Sequence, residues 1–293
     1  MNQLKMKFYQ FAYTDKNPVF RLFMKHEMPQ ELYGSNYGII MKDKTLPVLI
    51  YPGKEGVIFD IHGGGYTYGD YRDEDHFCKY LHDKTGMTIV SCNYSLSGTA
   101  KFPTQIEQVY TTIKAILSDS QINTEKIYLV GHSAGANCAA AQVLLAGQRQ
   151  EFRIDKVVLN YPWLDLACNP GTRPKVKGNN MSSGMLQMFR YMYFANMKDS
   201  RLPLASPLLA DMRQLECFPG TYIMTCAQDA LRIDGVRFCE RLKLAGIKVH
   251  FHEVNAHHGF IEEGMRGCFQ KINSKTELAK EEINKMIDWY QED

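Results

Sequence analysis

The stretch that most limits how this chain can fold is Gly131-His132-Ser133-Ala134-Gly135. It closes an apolar run from Lys126 to Val130 and opens a segment of small residues from Ala134 to Ala146. Apolar run, tight turn and helix, in that order, put a serine on a sharp bend between a buried strand and a helix. Strand and helix can close around such a bend only if nothing projects from its flanks, and Gly131 and Gly135 lack the Cβ that would clash. Ser133 then stands at the top of a sheet and at a helix N-terminus, where developing negative charge is favoured. That makes it the candidate nucleophile.

A second glycine cluster precedes it. Gly56-Val57-Ile58-Phe59-Asp60-Ile61 is a near-continuous apolar run, which suits a strand buried on both faces, and it ends in His62-Gly63-Gly64-Gly65-Tyr66. Three consecutive glycines carry a large conformational cost, so a function should require them. Their amides can point into a cavity unobstructed and, with the Ala134 N–H, bind the oxygen of a tetrahedral intermediate. Each such donor is worth roughly 3–4 kcal/mol of barrier. No Lys-Ser/Thr follows, so a phosphate loop is excluded. His62 reads as a brace of this loop.

The remaining chain alternates short apolar runs with amphipathic ones. Strands are expected at Tyr37–Met41, Pro47–Tyr51, Met87–Tyr94, Lys156–Tyr161, Gly220–Cys226 and Lys248–Val254, and helices at Asp73–Thr85, Pro103–Ser118, Val236–Leu244 and about Ser274–Tyr290. That order implies a mostly parallel sheet covered on both faces. A length of 293 residues with 45% hydrophobic content suits one large α/β domain spanning 1–293. The net charge of +2, without blocks of like charge, argues against a nucleic-acid partner. No apolar run is long enough to span a bilayer, and the N-terminus shows neither the apolar core nor the cleavage site of a signal peptide. The eight cysteines are scattered without C-x-x-C or zinc spacing, as expected of reduced thiols in a cytoplasmic protein.

The strand ending at Cys226 leads to Gln228-Asp229, and the next leads to Asn255-Ala256-His257-His258-Gly259-Phe260. A serine hydroxyl is a poor nucleophile until a base takes its proton, and a histidine oriented by an acid does this near neutral pH. Candidate acids are Asp229 and Asp234, and candidate bases are His258 and His257. His250 and His252 alternate on one strand, but no acidic or cysteine cluster accompanies them, so no metal and no cofactor are expected.

Taken together, His62-Gly63-Gly64-Gly65, Asn93-Tyr94, Phe102-Pro103, Gly131-His132-Ser133-Ala134-Gly135, Ala205-Ser206-Pro207-Leu208 and His258-Gly259-Phe260 resemble the hormone-sensitive-lipase-like branch of the α/β hydrolases. The chain departs from that pattern at His132, where the family usually has Asp, at Asn93 and Ser95, and at Ala136. Gly131 to Ala136 is also similar to kynurenine-formamidase-like and feruloyl-esterase-like relatives. The resemblance implies an α/β-hydrolase fold with a helical cap. It implies Asp229 as acid and His258 as base, with Gly63, Gly64, Gly65 and Ala134 as the oxyanion hole.

The cap is expected from two segments. One is the Met/Phe-rich N-terminal stretch, about 1–36, which reads equally as a peripheral helix. The other is the Met/aromatic run of about 164–204, with Tyr66, His132, Met185 and Phe189 as candidate pocket residues. The implied activity is cofactor-free hydrolysis of small, short-acyl esters. An arylformamidase or other amide hydrolase, and a non-catalytic ligand receptor, are the alternatives. The expected partners are a small-molecule ester and at most a second copy of the chain in a homodimer, with neither nucleic acid nor membrane.

Overall fold

The computed structural model describes residues 32–41, 44–266 and 274–292. Most of the N-terminal stretch read as cap or peripheral helix, and Cys268, lie outside these residues. One eight-stranded sheet runs in the order β1-β2-β4-β3-β5-β6-β7-β8. Its strands are β1 Ser35–Ile40, β2 Thr45–Tyr51, β3 Val57–Ile61, β4 Thr88–Cys92, β5 Ile127–His132, β6 Lys156–Asn160, β7 Gly220–Gln228 and β8 Val249–His257. The β1–β2 and β2–β4 pairs are antiparallel, and the others are parallel. The central strands β3, β4 and β5 are buried at every position, which is why they read as near-continuous apolar runs rather than as alternation.

Helices cover both faces. α1 (Asp75–Thr85), α7 (Phe260–Arg266) and α8 (Ser274–Gln291) pack on one, through Phe77, Leu81, Ile261, Ile283 and Met286. α2 (Thr104–Leu117), α3 (Ala134–Arg149) and α6 (Arg232–Leu244) pack on the other, through Ile106, Ile113, Ala139, Val143, Phe238 and Leu242. α3 opens on a run of small residues from Ala134 to Ala141 and is buried from Ala134 to Ala146, so its first two turns can run close against the sheet. α4 (Ser183–Tyr193) and the single turn α5 (Met212–Leu215) lie in the long connection between β6 and β7. Ser182 starts α4 as its N-cap, its hydroxyl accepting from the Met185 amide.

Register decides what meets at the C-terminal end of the sheet. Ile61 of β3 pairs with Gly131 of β5, so the glycine loop leaves the sheet beside the serine turn. Gln228 of β7 pairs with His257 of β8 after a register shift, so the following residues, Asp229 and His258, leave adjacent strands side by side.

Candidate active site

Ser133 lies between β5 and α3 with φ 57° and ψ −113°. A non-glycine residue in that region is strained by on the order of 1–3 kcal/mol, and surrounding bonds must hold it there. The Ser133 amide donates to the Asn160 carbonyl at 2.9 Å, and its carbonyl accepts from the Trp163 amide at 3.3 Å. The flanking glycines are required by contact. A Cβ on Gly131 would stand 2.3 Å from the Gly135 carbonyl oxygen, and one on Gly135 would stand 1.9 Å from that of Ile61.

His258 Nε2 is 2.8 Å from Ser133 Oγ, and His258 Nδ1 is 2.7 Å from Asp229 Oδ2. The other Asp229 oxygen accepts from the Leu231 amide at 2.8 Å, which fixes the carboxylate as well as the turn into α6. All three side chains are buried. Burial opposes a charge on His258, but the Asp229 carboxylate, by its charge and its hydrogen bond, and then Glu262 outweigh it. The imidazole therefore holds a proton more tightly than an ordinary histidine.

The rival residues are elsewhere. Asp234 forms a buried bidentate pair with Arg173, at 2.7 and 3.0 Å, and accepts from the Leu164 and Asp165 amides. His257 meets Glu263 at 2.7 Å on the partly exposed side of β8. His250 stacks on Tyr222, and His252 pairs with Glu282. Among the described residues no group of His, Cys, Asp and Glu could hold a metal ion.

A cavity of about 490 Å³ opens over Ser133 and His258. Gly63 and Gly64 form one wall, and Gly64, at φ +100°, approaches Tyr68 so closely that a Cβ would stand 2.0 Å from its carbonyl oxygen. Ala134 is the first residue of α3, so its N–H has no partner within the helix. His62 is buried, which depresses its pKa, and it stacks on Tyr94 at 4.2 Å. The Tyr94 hydroxyl lies 2.9 and 3.0 Å from the His62 and Gly63 carbonyls. Ring and hydroxyl together brace the glycine loop.

Four of the expected positions differ from a pocket or oxyanion role. Gly65 is not on the cavity wall: at φ +61° it lies under the Phe189 ring, where a Cβ would come within 2.4 Å. Phe189 is correspondingly interior, at 1% exposure, packed on Gly65, Tyr68 and Trp163. Tyr66 is fully buried, stacked on Tyr193 at 4.0 Å with its hydroxyl donating to Asn137 Oδ1 at 2.7 Å. His132 points beneath the serine turn, away from the cavity. Its Nε2 is 3.4 Å from Asp60 Oδ1 and its Nδ1 is 3.0 Å from the Tyr161 hydroxyl. Burial opposes its charge, but Glu74, Asp60 and Glu262 push its pKa up to about 9. Met185, by contrast, lines the cavity, together with Met181 and Tyr68.

Residues absent from the sequence reading complete the site. Glu74, Glu262 and Arg266 add a polar part to the lining that Met181 and Met185 make apolar. Asn179 Oδ1 accepts from the Ala230 amide at 3.1 Å, and Asn180 Nδ2 donates to the His258 carbonyl at 2.9 Å, tying the β6–β7 connection to the loops that carry Asp229 and His258. Gly178-Asn179-Asn180 is a turn signal in the sequence, but nothing local tells which loops it reaches. Larger hollows elsewhere, of about 670 and 680 Å³, bring together no serine and histidine.

A family model described as the alpha/beta hydrolase fold matches residues 58–262. Arylacetamide deacetylase of Bos taurus is 29% identical, over 82% of this chain and 80% of its own length. An arylesterase of Saccharolobus solfataricus is 30% identical, over 76% of this chain and 75% of that protein. The solved structure of an esterase from Pyrobaculum calidifontis, 23% identical, shares the fold with a TM-score of 0.77 over 98% of this chain and 92% of that one. Motifs, topology and relatives agree: the chain belongs to the α/β hydrolases, in the hormone-sensitive-lipase-like family, and is a hydrolase of the esterase type.

Proposed function

We propose that this chain is a serine carboxylesterase acting on small, short-acyl esters through Ser133, His258 and Asp229. The observation that carries the reading is the unbroken relay from Ser133 Oγ to His258 Nε2, and from His258 Nδ1 to Asp229, at 2.8 and 2.7 Å. In the reaction His258 takes the Ser133 proton as the oxygen attacks the acyl carbonyl, and Asp229 fixes the tautomer and stabilises the imidazolium. The amides of Gly63, Gly64 and Ala134 receive the tetrahedral oxygen. Collapse passes the His258 proton to the departing alkoxide and leaves an acyl-enzyme. Water, deprotonated by His258, then releases the acid and restores Ser133.

A cavity of about 490 Å³ supports a small substrate, since sites for drug-sized ligands range over ~300–1,000 Å³. The 164–204 segment acts as the cap: Met181 and Met185 close the cavity, and flexible thioethers adapt to varied apolar groups. Hydrolysis of p-nitrophenyl esters from acetyl to octanoyl, with Ser133→Ala as control, tests the reading. The expected result is cleavage of the shortest esters, abolished in the variant.

One observation favours a second reading, amide hydrolysis: a relative matching 82% of this chain is named for arylacetamide deacetylation. The same three residues would serve, with His258 protonating an amine instead of an alkoxide. Comparing phenyl acetate with acetanilide separates the two.

A further inference from the structure

Beneath the serine turn lies a second hydrogen-bonded chain that the proposed reaction does not use. His132, immediately before the nucleophile, has Nε2 3.4 Å from Asp60 Oδ1 of β3 and Nδ1 3.0 Å from the Tyr161 hydroxyl. Tyr161, immediately after β6, donates that hydroxyl to Glu262 Oε2 at 2.6 Å, and Glu262 Oε1 stands 3.8 Å from His132 Nδ1. Glu262 lies on α7, two residues past the Gly259-Phe260 that follows His258. The Tyr161 ring also meets the His258 ring edge-on, with centroids 5.1 Å apart. The chain thus starts at the backbone neighbour of the nucleophile, passes under the base, and ends on the helix that carries the base's loop.

Two features say that this arrangement is specified rather than incidental packing. Tyr161 is held at φ 38°, a region that costs a non-glycine residue energy, and its amide is fixed by the Met224 carbonyl at 2.7 Å. Of the three bonded residues only Glu262 is on the cavity wall; His132 and Tyr161 are buried. A hydrogen bond as short as 2.6 Å between a hydroxyl and a carboxylate is of the charge-assisted class. In a buried setting its loss leaves a group without a partner.

We propose that His132, Tyr161 and Glu262 are positioning residues for the Ser133–His258 pair: they clamp the serine turn to the base's loop and hold a second carboxylate on the cavity wall that His258 shares. The inference rests on the esterase reading above. With His132 doubly protonated, Nδ1–H donates to Tyr161, the Tyr161 O–H donates to Glu262, and Glu262 remains an acceptor on the cavity that His258 also lines. Glu262 then supplements Asp229 in stabilising the imidazolium, consistent with its contribution to the raised pKa of His258.

The groups around the two imidazoles are few. His258 faces Asp229 from the turn after β7, Glu262 from α7, Ser133 and Tyr161. His132 faces Asp60 from β3, Glu74 from the turn into α1, Tyr161 and Asn160 from the end of β6, and Glu262. Arg266 and Asp73, paired at 3.6 Å, line the cavity together with Glu74.

The test compares wild type, Glu262→Gln, Tyr161→Phe and the double variant on one short ester. The pH profile of kcat/KM is measured alongside the histidine titrations followed by NMR, the His258 signal being assigned by its loss in His258→Gln. Removing Glu262's charge should lower kcat about tenfold with KM within twofold, as expected when reacting groups shift out of alignment. It should also move both the acid limb of kcat/KM and the His258 titration to lower pH. Tyr161→Phe, which keeps the ring, should lower kcat by a similar factor, and adding Glu262→Gln should cost little more. If Glu262→Gln does not fold, Tyr161→Phe carries the test through kcat against KM. Unchanged kcat, acid limb and titration in the folded variants would overturn the clamp while leaving the esterase reading in place. Because the NMR titration needs no turnover, a wild type inactive on every ester, with a His258 titration that still moves in Glu262→Gln, would remove the esterase reading and keep the clamp.

Discussion

Two buried histidines flank Ser133. His132 precedes it in the chain, and His258 reaches it from a turn 125 residues away. Both meet buried carboxylates, and in both the carboxylates outweigh burial and raise the pKa. Yet only His258 contacts the serine oxygen. The difference lies in the backbone. His132 is the last residue of β5 and points into the layer under the sheet's end, where Asp60, Tyr161 and Phe77 enclose it. His258 follows β8 and leaves the sheet next to Asp229, which follows β7. A carboxylate neighbour therefore does not by itself bring a histidine to the serine oxygen; the strand end that carries it decides. The two aspartates that compete as acid divide the same way. Asp229 presents one oxygen to an imidazole, while Asp234 is consumed by Arg173 and two amides.

The sharpest break of this comparison is to remove each histidine. Ser133→Ala and His258→Ala should each reduce kcat by about a millionfold, and the double variant should be little worse, because such groups act as a unit. His132→Gln should leave a measurable esterase. Equal losses at the two histidines, read by kcat on a short ester, would erase the distinction. Next comes the pair of acids. Asp229→Asn should cost ~10,000-fold in kcat through the wrong tautomer. Asp234→Asn strands a buried Arg173 and should instead destabilise the fold by about 3–5 kcal/mol in urea unfolding, with the kcat of the folded protein little changed.

A smaller effect is read in stability. His132 is raised from 6.5 to about 9 in the folded protein. Its contribution is thus fully present below the unfolded value and is lost as pH rises through the folded one. Unfolding free energy should decline between about pH 6.5 and 9, and His132→Gln should flatten that slope. A slope unchanged in the variant would assign it to other groups. The smallest effect is at the cavity's apolar wall. Met185→Ala should extend the accepted acyl chain, each methylene being worth about 1–3 kcal/mol. Phe189→Ala, packed on Gly65 in the interior, should cost about 3–5 kcal/mol of stability without changing the chain-length profile. A profile that shifts with Phe189 and not Met185 would reverse their roles.

The sequence was most legible where backbone geometry forces residue choice. Gly131, Gly135 and Gly64 stand where a Cβ would strike a carbonyl oxygen within 2.3 Å, so the two glycine motifs mark their turns without tertiary information. Buried strands read clearly as apolar runs. Boundaries were less legible. A helix expected from Val236 begins at Arg232, because Gly235 is inside it, letting α6 approach β7 so closely that a Cβ would stand 2.5 Å from Thr225 Cγ2. The strand expected to end at Val254 continues to His257, carried by pairing with β7. Side-chain direction was not legible. Tyr66, His132 and Phe189 sit in or beside functional motifs yet face the interior, and the Glu74–Glu262–Arg266 wall comes from segments far apart in sequence. Only the fold brings them together.

Whether Ser133 is the nucleophile activated by His258 is decided by covalent labelling with an alkyl p-nitrophenyl phosphonate followed by peptide mapping. Stoichiometric phosphonylation of Ser133 is expected, lost in Ser133→Ala, suppressed in His258→Ala and unaffected by His257→Ala. Labelling of a different residue, or labelling that persists at full rate without His258, would contradict it.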